Sequence, residues 1–281
     1  MPCSGLFEAV FAPTLYRLEA KVAGKGIPAV STAPAPRLRF ASVAGKPGNA
    51  FDHALWDAVL KAHVRGGKVD YAGVAADERF GRYVESLAAA DVEALAPLEQ
   101  LALHLNAYNA FCMSHIVGAE RAQPGALKSI TELSEKGVMA IWDKPAGKIG
   151  GTEVTLNDIE HKRLRLIWDE PSLHACIVCA STSCPDLCSA AFVADGLEAQ
   201  MRARVCAWLS DETKGLQIDA KKRVARLSRI FLWFGNDFED EHGGAREFCA
   251  KYVPATASQE ALRNSKFATR HFEYDWSVNR Q

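Results

Sequence analysis

The chain has 281 residues, of which 48% are hydrophobic and 24% are charged. Its 33 Lys and Arg nearly balance its 34 Asp and Glu, for a formal net charge of -1. This composition excludes fibrous and wholly disordered chains, and it lacks the basic excess typical of nucleic-acid binding. A chain of this length buries enough apolar surface to fold without a disulfide or metal. We therefore expect a folded protein with no nucleic-acid partner and no cofactor.

The N-terminal part predicts an arm rather than a folded element. Residues 24–49 are rich in Gly, Pro, Ala and Ser, which is typical of a linker. We expect a flexible arm over residues 1–49 and one globular domain over residues 50–281. The first apolar run is interrupted by Glu8 and has no positive leader, so it does not predict a signal peptide. The N-terminus as written favours the cytoplasm, whereas a misassigned start codon would favour the periplasm.

Helical periodicity dominates the first part of the domain. Apolar residues recur every three or four positions in helices predicted over residues 55–64, 77–90 and 97–116. Residues 100–119 carry no formal charge and are nearly long enough to span a bilayer, but polar side chains such as His104 favour a helix in a protein core. Asn106 and Asn109 lie on or beside the apolar stripe of this helix. They either tie the helix to a neighbouring loop or belong to a functional site.

Strand signals begin near residue 148. Gly150 and Gly151 predict the turn of a hairpin between residues 148–149 and 152–156, and a second hairpin joins residues 216–219 to 224–227. The short apolar run at residues 173–179 predicts a buried strand, and residues 270–276 predict a strand returning to the sheet. Further helices are predicted over residues 157–168, 197–209 and 230–238. This order favours a single α+β domain, in which N-terminal helices pack on a small mixed or antiparallel sheet with hairpins.

Four of the eight cysteines and one histidine lie within residues 174–188. Cys176, Cys179, Cys184 and Cys188 are enough thiolates for a tetrahedral zinc site, but residues three apart in a strand point to opposite faces. Cys179 and Cys184 flank a four-residue turn. A disulfide closing so short a loop contributes little stability and is more typical of redox chemistry. Two other interpretations are open. The cysteines are small buried apolar side chains without chemistry, or one of them is a nucleophile.

The nucleophile hypothesis centres on Cys184. Pro185 at the first position of a helix would place the Cys184 sulfur near a helix N-terminus, where the dipole favours the thiolate. His174 and His161 are the candidate bases. The two asparagines of the central helix would then bind the oxyanion or orient the imidazole.

Several blocks in this order resemble the domain-of-unknown-function family 547, which occurs in bacterial exported proteins and plant leucine-zipper proteins. The blocks are residues 105–110 (Leu-Asn-Ala-Tyr-Asn-Ala), 156–161, 178–181, 183–187, 228–238 and 274–279. The family name records that no activity is generally established. The resemblance implies that Cys179, Cys184, His161 and His174 occupy family positions, whereas the other two clustered cysteines do not. The resemblance therefore weakens the interpretation as a four-thiolate metal site. The interpretations that remain are a Cys/His pair and a Cys179–Cys184 redox pair.

The first functional hypothesis is a thiol-dependent hydrolase or acyl-transferase that acts on an amide or thioester of a small peptide-like molecule. Its predicted site residues are Cys184, His174, His161, Asn106 and Asn109, with no metal. The alternatives are a non-catalytic binding module, lined by the aromatic residues near 233 and 274, and a redox-active Cys179/Cys184 dithiol. An accessible Cys184 beside an imidazole would favour the hydrolase.

Overall fold

The computed structural model describes residues 37–134 and 140–281, and residues 38–281 form one compact unit. The α-helices are α1 (Phe40–Val43), α2 (Ala54–His63), α3 (Tyr71–Ala76), α4 (Glu78–Ala88), α5 (Pro97–Ala122), α6 (Leu197–Ser210), α7 (Ile230–Trp233), α8 (Gly244–Tyr252) and α9 (Thr256–Arg263). The 3-10 helices span Ile130–Leu133, Ile141–Asp143, Pro171–Ala175, Gly235–Phe238 and Asp240–His242, and a π-helix spans Asp158–Arg165.

The strands form three small sheets. They are β1 (Val64–Arg65), β2 (Lys68–Val69), β3 (Pro145–Ile149), β4 (Thr152–Thr155), β5 (Leu216–Asp219), β6 (Val224–Leu227) and β7 (Ala268–His271). Strands β1 and β2 pair antiparallel, as do β3 and β4 across the glycine turn. The third sheet is mixed, because β6 pairs antiparallel with β5 and parallel with β7. The fold is α+β, as the sequence predicts.

Helix α5 is the centre of the N-terminal half. Every side chain from Leu101 to Met113 is buried, so this helix is enclosed on all sides. Gly147 of β3 lies directly against Phe111, and a Cβ at that position would come within 2.4 Å of the ring. The absent side chain lets the β3–β4 hairpin pack closely on the helix. Across the residues that the structure describes, no helix is long and apolar enough to cross a membrane.

The boundary of the predicted arm falls partly outside the described residues, because nothing is described before residue 37. Leu38 pairs with Trp168 and Asn49 pairs with Leu95 in isolated bridges. The compact unit therefore includes residues that the composition assigns to a linker. The limits of an arm within residues 1–49 stay a prediction.

Two local predictions around the cysteines are wrong. Residues 173–179 are not a strand, because Pro171–Ala175 form a 3-10 helix and an irregular segment follows. No helix begins at Pro185, since residues 185–195 are irregular. A short apolar run does not distinguish a strand from any other buried segment, and here the glutamate at position 170 caps a helical turn instead. The helix-dipole argument for Cys184 therefore does not apply.

Large aromatic rings form a second core in the C-terminal half. Trp208 of α6 stacks on Phe231 at a centroid distance of 4.8 Å, and Phe238 and Phe248 complete the cluster. The predicted helix over residues 230–238 is split into α7 and the 3-10 helix Gly235–Phe238. This break places Phe234 and Asp237 beside the segment that carries His174.

Candidate active site

The segment that carries the clustered cysteines is held by the central helix. Asn109 of α5 donates from its Nδ2 to the Cys176 carbonyl at 2.8 Å, and its Oδ1 accepts from the Val178 N–H at 2.9 Å. Asn109 is 3% exposed. Because the segment is irregular, these bonds replace the partners that a sheet or helix would supply.

Asn106, about one helical turn before Asn109 on α5, holds another irregular segment in the same way. Its Nδ2 donates to the Phe192 carbonyl at 2.7 Å and its Oδ1 accepts from the Phe192 N–H at 3.0 Å. Both asparagines thus tie α5 to neighbouring irregular chain, which is one of the two alternatives that the sequence leaves open. Their hydrogen bonds to the backbone account for one donor and the acceptor of each amide.

The sulfur atoms of Cys179 and Cys184 lie 3.2 Å apart. A disulfide bond is about 2.05 Å long, so a shift of little more than 1 Å would join them. The two thiols differ in exposure, since Cys179 is partly exposed and Cys184 is 4% exposed. The backbone N–H of Cys179 also donates to the Cys184 sulfur at 3.1 Å. The two thiols are therefore close together, and one of them is accessible.

The environment separates the acidities of the two thiols. A hydrogen bond from Cys184 lowers the pKa of Cys179 to about 7, against the effect of burial, with Ser181 and Tyr274 contributing further bonds. Burial raises the pKa of Cys184, and the neighbouring Cys179 thiolate raises it further. Hydrogen bonding and burial therefore favour the thiolate form at Cys179 over the thiolate form at Cys184.

The C-terminal segment encloses the loop between the cysteines. The Tyr274 hydroxyl lies 3.2 Å from the Cys179 sulfur and 3.1 Å from the Ser181 hydroxyl. Further along the loop, the N–H groups of Thr182 and Ser183 donate to backbone carbonyls of residues 277 and 275. These contacts fix the loop geometry, and with it the separation of the two sulfurs.

The loop stores backbone strain immediately after the accessible thiol. Ala180 has φ of +57°, in the left-handed region that residues with a Cβ rarely adopt. Its carbonyl accepts from the Asn279 N–H at 3.0 Å, so the C-terminal segment holds this conformation. Strained residues are concentrated at functional sites.

The two candidate histidines belong to a separate polar network. His174 lies 2.7 Å from Asp237 through its Nε2, and Arg165 donates to both oxygens of that carboxylate. Arg165 also contacts His161 Nδ1 at 2.7 Å. Burial would raise the pKa of Asp237, but the bonds from His174 and Arg165 hold it well below its ordinary value. Burial lowers the pKa of His161.

The structure does not join the predicted site residues into one hydrogen-bonded set. Cys184 bonds to Cys179, the histidines bond to Arg165 and Asp237, and the asparagines bond to the backbone. Within the described ranges no histidine lies within hydrogen-bonding distance of either sulfur. Across the described part of the chain, no group of three or more His, Cys, Asp or Glu side chains could bind a metal ion.

Comparison with known proteins identifies the segment that carries these residues. Residues 92–209 match the family model described as protein of unknown function, DUF547. Residues 92–209, which are less than half of the chain, are thus similar to this family. Searches of the curated proteins and of the solved structures found no match.

The DUF547 segment contains both cysteines of the pair, both histidines and both asparagines of α5, which confirms the resemblance over this stretch. Asp237 and Tyr274 lie beyond it, although they contact its histidine and its cysteine. Sequence reasoning gave Asp237 no role in the site, and it gave Tyr274 a role only as a lining residue of the binding module. Both lie in blocks that carry the family resemblance, and for Asp237 this is the only signal in the sequence.

Proposed function

We propose that the domain is a thiol–disulfide oxidoreductase in which Cys179 attacks a substrate disulfide and Cys184 resolves the intermediate. The observation that carries this proposal is the 3.2 Å separation of the two sulfurs. Two thiols at this distance form a disulfide with little movement of the backbone. Their spacing of five residues closes a short loop, in which a disulfide is reducible rather than structural.

The difference between the two thiols supports the division of roles. An attacking thiol works best when its pKa is near the ambient pH, because it is then both ionised and nucleophilic. Cys179 meets this condition with a pKa of about 7 and partial exposure. Cys184 is buried and its pKa is raised, so it stays protonated until the attack has occurred.

The exchange proceeds in two balanced steps. The Cys179 thiolate attacks one sulfur of the substrate disulfide, forms a mixed disulfide and releases the first substrate thiolate. Cys184 then attacks the Cys179 sulfur, the bond from Cys179 to the substrate sulfur breaks, and the Cys184 proton passes to the departing substrate thiolate. Formation of the mixed disulfide removes the charge on Cys179 that had opposed ionisation of Cys184, and the Cys179 N–H stabilises the new thiolate. The substrate gains two electrons, and an external thiol reduces the pair again.

The thiol hydrolase suggested by the sequence receives less support. Burial raises the pKa of its nucleophile, Cys184, which favours the unreactive thiol over the thiolate. A hydrolase of this kind also needs an imidazole that takes the proton of the thiol. His161 and His174 instead bond to Arg165 and Asp237. The dithiol function requires no such base, because hydrogen bonds from Cys184, Ser181 and Tyr274 lower the pKa of Cys179.

The experiment is reaction of the reduced protein with glutathione disulfide, followed by intact mass and peptide mapping. The wild type should form an internal Cys179–Cys184 disulfide. The C184S variant should stop at a stable mixed disulfide with one glutathione on Cys179, and C179S should not react at this pair. Persistence of two free thiols in the wild type under conditions that oxidise a free model dithiol would overturn the proposal.

The matched control is Cys188, which is partly exposed and lies on the same irregular segment. The C188S variant should form the internal disulfide at the wild-type rate. If C188S abolishes the reaction while C184S leaves it intact, then the assignment of the resolving thiol is wrong.

A further inference from the structure

A second group of titratable side chains lies apart from the dithiol. It consists of His161 and Arg165 on the π-helix, His174 on the 3-10 helix Pro171–Ala175, and Asp237 on Gly235–Phe238. His174 is 3% exposed, and its ring packs on Phe234 at a centroid distance of 4.6 Å. The His161 ring lies 6.5 Å from the same phenylalanine. One aromatic ring thus adjoins both imidazoles.

The hydrogen bonds determine which nitrogen of each imidazole is left for a ligand. Arg165 is always a donor, so His161 Nδ1 accepts and its proton lies on Nε2. The Asp237 carboxylate accepts, so His174 Nε2 donates, and in the neutral imidazole Nδ1 keeps a lone pair. No described residue hydrogen-bonds to His174 Nδ1 or His161 Nε2. One ring therefore offers a base, and the other offers a donor.

The chain around this group exposes apolar surface. Leu166 and Ile167 directly follow Arg165 and are 65% and 41% exposed, and Leu232, two residues before Phe234, is 51% exposed. These are three of the four large apolar side chains that are exposed among the described residues. Exposed apolar side chains on the same segments as a buried polar group offer the kind of surface that binds an apolar ligand.

We propose that His174 and His161 form an acid–base site that hydrolyses esters with an apolar acyl group. His174 Nδ1 takes a proton from water as the water oxygen attacks the carbonyl carbon. His161 Nε2–H donates a hydrogen bond to the carbonyl oxygen as it gains charge. The C–O bond to the leaving alcohol then breaks, and His174 returns the proton to that alcohol. Water and ester give acid and alcohol, and no other reactant is needed.

Asp237 and Arg165 are positioning residues in this site. Asp237 holds His174 in the tautomer that leaves Nδ1 free, as the carboxylate of a catalytic triad does. Arg165 fixes Asp237 through two hydrogen bonds and fixes His161 through a third. The site shares no residue with the dithiol, so the two proposals can fail independently.

The experiment measures hydrolysis of p-nitrophenyl butyrate by the full chain and its variants. His174→Gln should lower kcat/KM by about a hundredfold, the usual contribution of a general base, and His161→Gln should lower it at least tenfold. Asp237→Asn should lower it, and Asp237→Glu should restore part of the loss. The C179S/C184S double variant should keep wild-type hydrolysis, which separates this activity from the thiols.

The matched control is His115 of α5, which is partly buried and whose Nε2 has no partner in the structure. His115→Gln should keep the wild-type rate. A wild-type rate no higher than that of a folded His174→Gln variant would overturn the proposal. Loss of hydrolysis in C179S/C184S would also overturn it, because the thiols would then be the source of the activity. Folding of each variant is checked by thermal unfolding.

Discussion

The side-chain oxygen of Asn109 accepts a hydrogen bond from the Val178 N–H, one residue before the accessible thiol Cys179. The central helix therefore sets the position of the dithiol through a single buried amide. Neither partner is replaceable by water, because Asn109 and Val178 are 3% and 4% exposed. The cysteines lie on a loop, but the buried helix α5 fixes the position of that loop.

Asn109→Ala should destabilise the fold and disturb the thiols. It leaves the Cys176 carbonyl and the Val178 N–H without partners, which costs roughly 2–4 kcal/mol of unfolding free energy. Urea unfolding measures this loss. The matched control is Asn106→Ala, which should cost a similar amount but leave alkylation of Cys179 unchanged, because Asn106 holds Phe192. Equal effects of both variants on alkylation would contradict this account.

Tyr274→Phe should raise the pKa of Cys179. The tyrosine hydroxyl is one of the groups that stabilise the Cys179 thiolate, at 3.2 Å, and phenylalanine removes it while keeping the ring. Alkylation of Cys179 at pH 7 should become several-fold slower, and the ultraviolet absorbance of the thiolate should appear at higher pH. Tyr252→Phe, whose ring packs on Phe248, is the control and should change neither value. An unchanged pH profile in Tyr274→Phe would show that this bond does not act on the thiol.

Ala180→Gly should stabilise the fold and slow closure of the dithiol. Glycine removes the left-handed strain at φ of +57°, which is worth about 1 kcal/mol, less the entropy that glycine gains in the unfolded chain. The matched control is Arg223→Gly at φ of +53° in the turn between β5 and β6. Both variants should be slightly more stable, but only Ala180→Gly should lower the rate of internal disulfide formation. If both variants form the internal disulfide at the same rate, then the strain at Ala180 has no effect on the thiol chemistry.

The domain should lose stability as the pH falls from about 6.5 to about 4. Burial lowers the pKa of His53 and of His104 to about 4, whereas the unfolded chain binds these protons near the ordinary value. The unfolded state therefore holds more protons in this window, which destabilises the fold on acidification. Each histidine should cost roughly 2 kcal/mol between pH 7 and pH 5. His104→Leu should reduce the pH dependence of urea unfolding, and an unchanged dependence would contradict this assignment.

The sequence predicts elements whose signal is local. Helix α5 follows from its sustained apolar period, and the β3–β4 hairpin follows from two consecutive glycines. The strand predicted over residues 173–179 is wrong, because a short apolar run has no periodicity that distinguishes a strand from irregular buried chain. The partners of Asn106 and Asn109 are backbone groups, which no side-chain pattern reveals.

The composition of the site was predicted in part. A redox pair of Cys179 and Cys184 is one of the alternatives that the sequence leaves open, because the two cysteines flank a short turn. Their unequal acidity depends in part on Tyr274, which lies 95 residues away from Cys179. Asp237 is 63 residues from His174 and comes from another element. Such contacts depend on tertiary packing, so spacing along the chain does not predict them.

The central claim is that Cys179 is the ionised, attacking thiol of the pair. The most direct measurement is the rate of iodoacetamide alkylation of each cysteine in the reduced protein as a function of pH, read by peptide mass spectrometry. Cys179 should react fastest, with a midpoint near pH 7, and Cys184 should be protected. A midpoint for Cys179 at the ordinary thiol value of about 8.5, or faster alkylation of Cys184, would contradict it.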